Sequence, residues 1–442
     1  MLVKSGLAHS AHVRKTAASL DRAGYEVFVL GAVRNEGSPS GWKQEDGFRS
    51  RVVAAPELAP SRRAERAAAR HKRLERRRDL AAARLAESGG GLRRRALRWR
   101  HDRLRRAAER ARETAKRDRA EAKARRQLED PLNLRRYEAA WWPLVRELRP
   151  DVVHAFDVSG MGVARRAKRL GARFLYEAHE PKRHVADTER EEAERRQAVL
   201  YAAEADALIA VTEPLAEVLV EQLGLPQPPP LVHCTPVLDP GEPPPWGLRE
   251  AAGVGEDTPL LVFAGLLARR RRTEVVLEAM TLLPDVHFAL VVREDDPLTV
   301  ELLGRGRELG VAERVHVVPK VPPRAVSPFI AAADVGVIPY NRSAGKDLVL
   351  GNKLFEYLHA GLPMVVSDCT AQAEFVRRYG LGESAPTDDP EAWAEAIRRV
   401  LEMPRYSDRT EEWEALKREW SWERQEQALL GVYRELTGVS RS

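Results

Sequence analysis

Residues 351–368 read Gly-Asn-Lys-Leu-Phe-Glu-Tyr-Leu-His-Ala-Gly-Leu-Pro-Met-Val-Val-Ser-Asp, the stretch that says most about the fold. This pattern predicts a helix that ends at Ala360-Gly361, a stop at Pro363, and then a short apolar strand. Lys353 places a positive charge near the helix N-terminus, where anions are already favoured, and Glu356 follows one turn later as a hydrogen-bond acceptor. The two side chains favour an anion site beside hydroxyl groups. A surface Lys–Glu pair, worth roughly a few tenths of a kcal/mol, is the alternative.

Working outward, short apolar segments alternate with amphipathic helical segments along most of the chain. Such alternation predicts parallel sheets joined by crossover helices. The predicted strands of the first set are residues 26–31, 151–156, 173–178 and 205–212, and those of the second set are 260–265, 287–292, 314–319, 335–339 and 363–368. A proline-rich stretch at 226–246 separates the sets and suits an interdomain linker. We therefore predict an α/β protein with two doubly wound, Rossmann-like domains and a ligand cleft between them.

The domain boundaries follow from this division. We place the first domain at 1–235, the linker at 236–258, the second domain at 259–419 and a final helical segment at 420–442. The 442 residues are enough for two cores, and 43% hydrophobic content is typical of a globular protein.

Targeting signals and cysteines point to a reducing compartment. The sequence has no run of eighteen apolar residues, and its N-terminus lacks a signal-peptide pattern, so we expect a cytoplasmic protein. Cys234 and Cys369 are far apart and match no metal spacing, so we expect free thiols.

The net charge of +7 is concentrated in one place. Between Arg62 and Gln127, 26 Lys and Arg residues stand against 9 Asp and Glu, a local net charge of +17, and the rest of the chain carries −10. The surrounding segment, 60–131, is rich in helix-forming residues and is broken at 88–92 by Ser-Gly-Gly-Gly-Leu, so we predict a basic insertion of two long helices. Attraction to an anionic membrane surface, at about 1 kcal/mol per nearby cation, is the favoured role, which would make the protein a peripheral one on the inner face of the membrane. An acidic partner or a solvated insertion without a ligand remains open, and nucleic acid is the least favoured because no recognised module is present.

Two strands of the first set end in a histidine and a carboxylate. Residues 151–157 read Asp-Val-Val-His-Ala-Phe-Asp and residues 175–180 read Leu-Tyr-Glu-Ala-His-Glu, which gives the pairs His154 with Asp157 and His179 with Glu180. Histidine can relay protons near neutral pH, and a carboxylate can orient it or bind a hydroxyl group. For His154, a satisfied histidine at a strand end is the alternative.

The second domain opens with a strand, Gly265, a run of arginines and a helix. A glycine turn and a cation ahead of a helix N-terminus favour binding of a diphosphate. Because Arg269 to Arg272 are consecutive, the pattern leaves open which guanidinium points inward, and a solvated basic turn is the alternative for several of them.

These segments together resemble the nucleotide-sugar site of retaining glycosyltransferases with the GT-B fold, and in particular glycosyltransferase family 4. The resemblance implies a nucleoside-diphosphate sugar as the donor, no cofactor and a last helix, within 420–442, that crosses back to the first domain. It assigns the donor diphosphate to Gly265, Arg271 and Lys353, the ribose and sugar to Glu356, Asn352 and Tyr340, the nucleotide base to Lys320 and Val321, and the acceptor-side catalytic wall to His154, Asp157, His179 and Glu180. No metal is expected at the donor site, since no Asp-x-Asp motif follows a strand.

The sequence also departs from the family pattern. Leu348 stands where the family's Glu-x7-Glu motif has its first glutamate, so the usual carboxylate contact to the donor sugar is missing. In the first loop only His9 and Val13 keep the family's residue types, and we expect His12 to be a solvated loop residue without a catalytic role. Two alternatives therefore stay open: a sugar-nucleotide 2-epimerase, and a catalytically degenerate protein that serves as a membrane or partner scaffold.

Overall fold

Two β-sheets, one in each half of the chain, organise the protein in this computed structural model, which describes residues 1–4, 11–33, 41–55, 62–179, 188–241, 245–269, 271–405 and 410–438. The first sheet has the order β3-β4-β2-β1-β5-β6-β7, and only the β3–β4 pair in it is antiparallel. Its strands are β1 (Leu2–Val3), β2 (Phe28–Val33), β3 (Lys43–Gln44), β4 (Arg49–Ala54), β5 (Val152–Phe156), β6 (Arg173–Ala178) and β7 (Ala207–Ala210).

The second sheet is parallel throughout and has the order β10-β9-β8-β11-β12-β13. Its strands are β8 (Leu260–Ala264), β9 (His287–Val291), β10 (Val315–Val318), β11 (Val335–Ile338), β12 (Met364–Ser367) and β13 (Gly382–Ala385). The strand β8 reads Leu-Leu-Val-Phe-Ala and is buried along its whole length, because helices cover both faces of a parallel sheet.

The helices connect these strands and cover the sheets. They are α1 (Ala11–Arg22), α2 (Arg62–Ala86), α3 (Leu92–Glu129), α4 (Leu134–Leu148), α5 (Met161–Lys168), α6 (Glu189–Ala202), α7 (Glu213–Leu223), α8 (Leu248–Ala252), α9 (Glu274–Met280), α10 (Pro297–Glu308), α11 (Val326–Ile330), α12 (Asn352–His359), α13 (Thr370–Tyr379), α14 (Pro390–Leu401), α15 (Thr410–Glu419) and α16 (Trp422–Thr437). None of them, within the part of the chain that the structure describes, has the length and apolar character needed to cross a bilayer.

The strand order places a switch point in each sheet. In the first sheet β1 lies between β2 and β5, and in the second β8 lies between β9 and β11. Chain direction along the sheet reverses at these strands, which opens a crevice at their carboxyl ends. The helices α1 and α12 follow β1 and β11 and therefore start beside these two crevices.

The predicted α/β class with two parallel sheets is confirmed, and each predicted strand segment overlaps an observed strand. The two-residue strands β1 and β3 lie outside the predicted segments. The strands β4 and β13 were not predicted either. The first reads Arg-Ser-Arg-Val-Val-Ala and the second Gly-Glu-Ser-Ala, and neither has the apolar run that marks a buried central strand.

The insertion folds as two helices, α2 and α3, that pack against each other on both sides of a turn at 87–91. Four alanines of these helices are almost fully buried: Ala64, Ala81, Ala108 and Ala111. Arg63 on α2 also lies 3.0 Å from the buried carboxylate of Asp118 on α3, so an ion pair joins the two helices.

The helix α16 packs against the first domain although it follows the second domain in sequence. Trp422 is only 2% exposed, and its indole Nε1 donates a hydrogen bond to Oγ of Ser19, 2.9 Å away on α1. Farther along the helix, Tyr433 reaches the ring of His154 on β5. The last helix therefore joins the two domains through buried side chains.

Replacing Trp422 should destabilise the protein, because the substitution leaves a large cavity between α1 and α16. We expect Trp422→Ala to lower the free energy of unfolding by about 3–5 kcal/mol in chemical denaturation. Trp99→Ala is the matched control, since Trp99 is 60% exposed on α3, and it should change stability by less than about 0.5 kcal/mol. Equal effects of the two substitutions would contradict this view of α16.

Candidate functional site

The helix α12 begins directly after Gly351 and carries Lys353 in its first turn. The side chain of Lys353 is buried, and its ammonium donates a hydrogen bond to the carbonyl of Ala264 at the carboxyl end of β8. The ammonium also lies 4.7 Å from the centre of the Phe263 ring, within cation–π range. Because a buried charge is costly unless other groups stabilise it, these contacts hold the helix N-terminus against the strand end.

Gly265 follows β8 with a φ of +131°, a conformation that side-chain-bearing residues rarely adopt. A Cβ at this position would collide with the ammonium of Lys353 and lie 3.9 Å from a terminal nitrogen of Arg271. Glycine therefore allows the loop backbone and the two cations to approach each other. The structure brings together the three residues that the sequence assigns to a donor diphosphate.

The arginine run divides into paired side chains and one that faces Lys353. Arg269 lies 2.8 Å from a carboxylate oxygen of Glu301, and Arg272 lies 3.1 Å from one of Asp388. Arg270 lies outside the described residues. Arg269 and Arg272 therefore each form an ion pair with a carboxylate, which agrees with the alternative of a basic turn at the surface.

Arg271 takes a different direction. Its guanidinium donates a hydrogen bond to the carbonyl of Leu266 and lies 5.5 Å from the centre of the Tyr340 ring. Tyr340 is 8% exposed and lies at the end of β11, where the ammonium of Lys346 is also 5.5 Å from its ring. Two cations therefore lie within cation–π range of one aromatic ring.

The site carries more positive than negative charge. Burial lowers the pKa of Lys353 to about 8; the charge of Glu356 opposes this decrease, and those of Arg271 and Lys320 add to it. Burial also raises the pKa of Glu356, although Lys353, Lys15 and Arg271 oppose that increase. An anionic ligand would relieve the repulsion among these cations.

Of these groups, Glu356 and Lys15 line a cleft of about 600 Å³ between the two domains, and Asn352, the neighbour of Lys353, lines it as well. The first-domain wall comes from α1, including Lys15, and from the linker at Cys234 and Pro236. The second-domain wall includes exposed Asn352 and half-buried Glu356 at the start of α12. The carboxylate and amide predicted to bind ribose and sugar therefore lie on the cleft surface.

The predicted base-binding residues lie along the same wall. Lys320 is exposed and Val321 half-buried in the segment after β10. The next two residues, Pro322 and Pro323, line the cleft.

Leu348, at the position of the missing glutamate, contacts the first domain through its backbone. The backbone carbonyl of Leu348 accepts a hydrogen bond from Oγ1 of Thr212, 2.7 Å away in the first domain. The neighbouring Asp347 accepts one from the backbone N–H of Thr370, 2.8 Å away at the start of α13. Neither side chain replaces the carboxylate that the family pattern places here.

The prediction for His154 needs correction. It is 1% exposed in the middle of the first sheet, and its Nδ1 lies 3.1 Å from the hydroxyl of Tyr433. A side chain so deeply buried does not contact a substrate, so the alternative of a satisfied buried histidine is the correct one. Asp157 is half-buried just after β5, with a φ of +64°, and Glu180 lies outside the described residues.

Glu177, which lies at the centre of a cluster of buried side chains, was not identified from the sequence. His12 Nε2 lies 2.5 Å from its Oε1, His179 Nε2 lies 2.7 Å from the same oxygen, and His154 Nε2 lies 3.0 Å from Oε2. The thiol of Cys234 interacts with the rings of His12 and His179. The expectation that His12 is a solvated loop residue is wrong, since it is 5% exposed within α1. A glutamate inside an otherwise apolar strand was the signal available in the sequence.

The cluster is strongly coupled electrostatically. Burial alone would raise the pKa of Glu177, but His12 and His179 hold it well below its usual range. Burial lowers the pKa of His12, while Cys234 and Glu177 raise it, to about 9 in balance. The same two imidazoles overcome the effect of burial on Cys234 and lower its thiol pKa to about 6.

The structure is thus that of an α/β protein with two parallel-sheet domains, with two cations beside a glycine turn near the cleft between them. Two sequence profiles match the chain: "Glycosyltransferase Family 4" over residues 100–235 and "Glycosyl transferases group 1" over residues 258–403. Together they account for more than half of the chain and cover both domains. The chain belongs to the group 1, family 4 glycosyltransferases.

Among curated relatives, the D-inositol 3-phosphate glycosyltransferase of Xylanimonas cellulosilytica is 30% identical over 53% of this chain and 58% of its own length. The protein of that name from Nocardioides is 31% identical over 42% of this chain and 43% of its own length. The chain thus spans about half the length of these relatives.

Solved structures show the fold. Sucrose-phosphate synthase from Thermosynechococcus elongatus superposes with a TM-score of 0.68 at 17% identity and covers 99% of both chains. The HepE protein of Anabaena, in complex with UDP-glucose, has a TM-score of 0.56 at 15% identity, over 66% of this chain and 81% of that one. The predicted GT-B arrangement of two Rossmann-like domains is confirmed.

Proposed function

We propose that this protein is a retaining glycosyltransferase that moves a sugar from a nucleoside-diphosphate donor to an acceptor held by the first domain. The observation that supports this most is that Lys353, Arg271 and Gly265 meet at the carboxyl end of β8, while Glu356, on the same helix as Lys353, lines the interdomain cleft. Relatives named as glycosyltransferases, and a structural neighbour bound to UDP-glucose, make a uridine diphosphate sugar the first donor to test.

In this proposal the donor lies along the second-domain wall with its diphosphate at the carboxyl end of β8. Lys353, Arg271 and the N-terminus of α12 supply positive charge, so the phosphates need no metal ion. Glu356 accepts hydrogen bonds from the ribose hydroxyls. The remaining contacts are Asn352 and Tyr340 to the sugar and the backbone of Lys320 and Val321 to the base.

The reaction breaks the bond between the anomeric carbon and the diphosphate oxygen. Negative charge develops on the leaving diphosphate while the sugar acquires oxocarbenium character. Lys353 and Arg271 stabilise that charge where it develops, in a cleft with little water. The acceptor hydroxyl then bonds to the anomeric carbon on the face from which the diphosphate leaves, and the leaving phosphate takes its proton.

On the acceptor side, His179 is the group we assign to contact with the acceptor, through Nδ1, because its Nε2 faces Oε1 of Glu177 at 2.7 Å. Its side chain is 25% exposed, in contrast to fully buried Glu177. Asp157 directly follows β5 and is half-buried, and its backbone N–H donates a hydrogen bond to the carbonyl of Glu177, 3.0 Å away. An acceptor hydroxyl placed here would meet a histidine whose orientation is held by the carboxylate behind it.

The function can be tested by incubating the protein with UDP-, GDP- and dTDP-sugars, followed by analysis of the products. One nucleotide should raise the melting temperature, and its sugar should be transferred or slowly hydrolysed with release of the nucleoside diphosphate. Recovery of an epimerised sugar would instead support the epimerase, and the absence of binding by any nucleotide would support the scaffold.

With that donor, Arg271→Ala and Lys353→Ala should each lower kcat by about 100- to 1000-fold, because each removes a charge that stabilises the leaving group. Arg272→Ala is the matched control. It lies in the same arginine run but pairs with Asp388 and Glu278, and it should keep kcat within about twofold. Circular dichroism should show all three variants folded, and a loss in Arg272→Ala equal to that in Arg271→Ala would contradict the assignment.

Lys353 should also set the alkaline limb of the pH profile. Its pKa in the folded protein is lowered to about 8, so the charge is complete well below that pH and is lost as the pH rises through it. We expect kcat/KM for the donor to be level near pH 7 and to fall by up to about tenfold per pH unit above 8.

Titration of a second lysine would give the same decline, because burial also lowers the pKa of Lys15 to about 8. The variant Lys353→Arg distinguishes the two lysines. Since a guanidinium keeps its charge, this variant should lose the alkaline decline even if its overall activity is lower. An unchanged decline in Lys353→Arg would assign the limb to another group.

We also propose that the helical insertion binds an anionic membrane surface. Its outer faces carry arginines, and its exposed apolar residues include Leu92 at 82%, Leu80 at 63% and Trp99 at 60%. Arg94, Arg95 and Arg98 lie at the start of α3 beside Leu92 and Trp99. Cations surrounding an exposed aromatic and aliphatic side chain are the combination that favours the headgroup region of a bilayer.

Co-sedimentation with vesicles tests this role. The wild type should bind phosphatidylglycerol vesicles in low salt and should not bind neutral phosphatidylcholine vesicles, and the triple variant Arg94→Glu, Arg95→Glu, Arg98→Glu should lose binding. The control Arg377→Glu, Arg378→Glu, Arg418→Glu has the same change in net charge at exposed positions of α13 and α15 and should bind normally. Equal loss in both, or preferential binding to RNA over vesicles, would contradict a membrane role.

A further inference from the structure

The cluster around Glu177 lies where three segments of the first half of the chain meet. His12 comes from α1, Glu177 and His179 from the end of β6 and the residue after it, and Cys234 from the segment that leads into the interdomain linker. Only His179 and Cys234 are partly exposed, and Cys234 lines the interdomain cleft.

Hydrogen bonding explains only some of the short contacts in this cluster. The Nε2 atoms of His12 and His179 both approach Oε1 of Glu177, at 2.5 and 2.7 Å. The 2.7 Å contact between His179 Nε2 and Glu177 is as short as a hydrogen bond but does not have the direction of one. One ligand atom from each of His12, Glu177 and His179 lies within 4.8 Å of the others. The Cys234 thiol interacts with both rings but is not part of this group of three, so binding of a metal would draw it toward the other ligands.

We propose that His12, Glu177, His179 and Cys234 bind a zinc ion that ties the first domain to the interdomain linker. Two imidazoles, a carboxylate and a thiolate form a mixed nitrogen, oxygen and sulfur set, which is typical of tetrahedral zinc at about 2.0–2.3 Å. Magnesium and calcium select oxygen ligands, so this set excludes them as the natural occupants. The ligands must be deprotonated to bind, and one carboxylate with one thiolate then balances the charge of a divalent ion.

The surrounding residues are arranged like the support of a metal site. His154 Nε2 lies 3.0 Å from Oε2 of Glu177, although this pair does not have the direction of a hydrogen bond, and His154 Nδ1 lies 3.1 Å from the hydroxyl of Tyr433. A small rotation of these side chains would give the outer hydrogen bond that orients a ligating carboxylate. Around His12, the rings of Phe156 and Trp422 make edge contacts with centroids 5.9 and 5.4 Å away, which fixes the imidazole plane.

The proposed zinc has a mechanical consequence. Holding Cys234 to α1 and β6 would fix the point at which the linker leaves the first domain, and that point limits how the second domain can move over the cleft. Zinc should therefore raise stability and restrict opening of the cleft. This inference does not depend on sugar transfer, because binding of the metal and binding of a nucleotide are measured separately.

The test starts from untagged protein freed of metal by a chelator and titrated with zinc against a chromophoric competitor. We expect one equivalent to bind and the melting temperature to rise. Cys234→Ser and His179→Gln should weaken zinc binding by more than about tenfold, since even the outer partners of metal sites have effects of that size. His316→Gln is the control, because His316 pairs with His287 at 2.9 Å outside the cluster, and it should bind zinc as the wild type does.

Cobalt substitution provides a second readout, and its main result comes from the wild-type protein. Wild-type protein loaded with Co²⁺ should show a thiolate-to-metal charge-transfer band and the visible absorption of tetrahedral cobalt, and Cys234→Ser should lose the charge-transfer band. A wild type that binds no equivalent of zinc, or that binds cobalt without the thiolate band, would overturn the proposal. Zinc affinity in Cys234→Ser and His179→Gln equal to that of His316→Gln would overturn it as well.

Discussion

The buried ammonium of Lys353, held against the carbonyl of Ala264, is the constraint on which the rest of the second domain depends. It joins the N-terminus of α12 to the carboxyl end of β8, the two elements that meet at the switch point of the sheet. Gly265 must lack a side chain for this contact to form, and Arg271 then lies beside the same loop. If the proposed donor binds here, its phosphates offset the cost of burying this charge.

The first domain holds a buried cluster behind the same cleft, and Cys234 connects the cluster to the cleft surface. Its centre is the fully buried carboxylate of Glu177, which three histidines approach, and Tyr433 of the last helix contacts one of them, His154. Because α16 follows the second domain in sequence and packs on the first, movement of the domains is coupled to the packing around Glu177. Thr212 and Leu348 add a direct hydrogen bond between the domains. The donor side and the acceptor side are thus joined through backbone and helix contacts as well as through any ligand.

Much of the fold was predictable from the sequence, because buried parallel strands are continuous apolar runs such as Leu260–Ala264. The strands β4 and β13 escaped prediction since their residues are polar or small. The grouping of Gly265, Arg271 and Lys353 was expected from the family resemblance, because the run of arginines alone left open which guanidinium points inward. The Glu177 cluster was not, since its members come from distant segments and only folding brings them together. His154 was misjudged because a local pattern does not show whether the end of a strand is covered by another helix.

The proposed function requires that Lys353 and Arg271 bind the donor diphosphate. A crystal structure of the protein with a bound nucleoside diphosphate tests this requirement most directly. We predict the two phosphates at the carboxyl end of β8, with Lys353 Nζ and the Arg271 guanidinium within about 3 Å of phosphate oxygens and Glu356 on the ribose hydroxyls. A nucleotide bound elsewhere, or one whose phosphates contact Arg269 or Arg272 in place of Lys353 and Arg271, would contradict it.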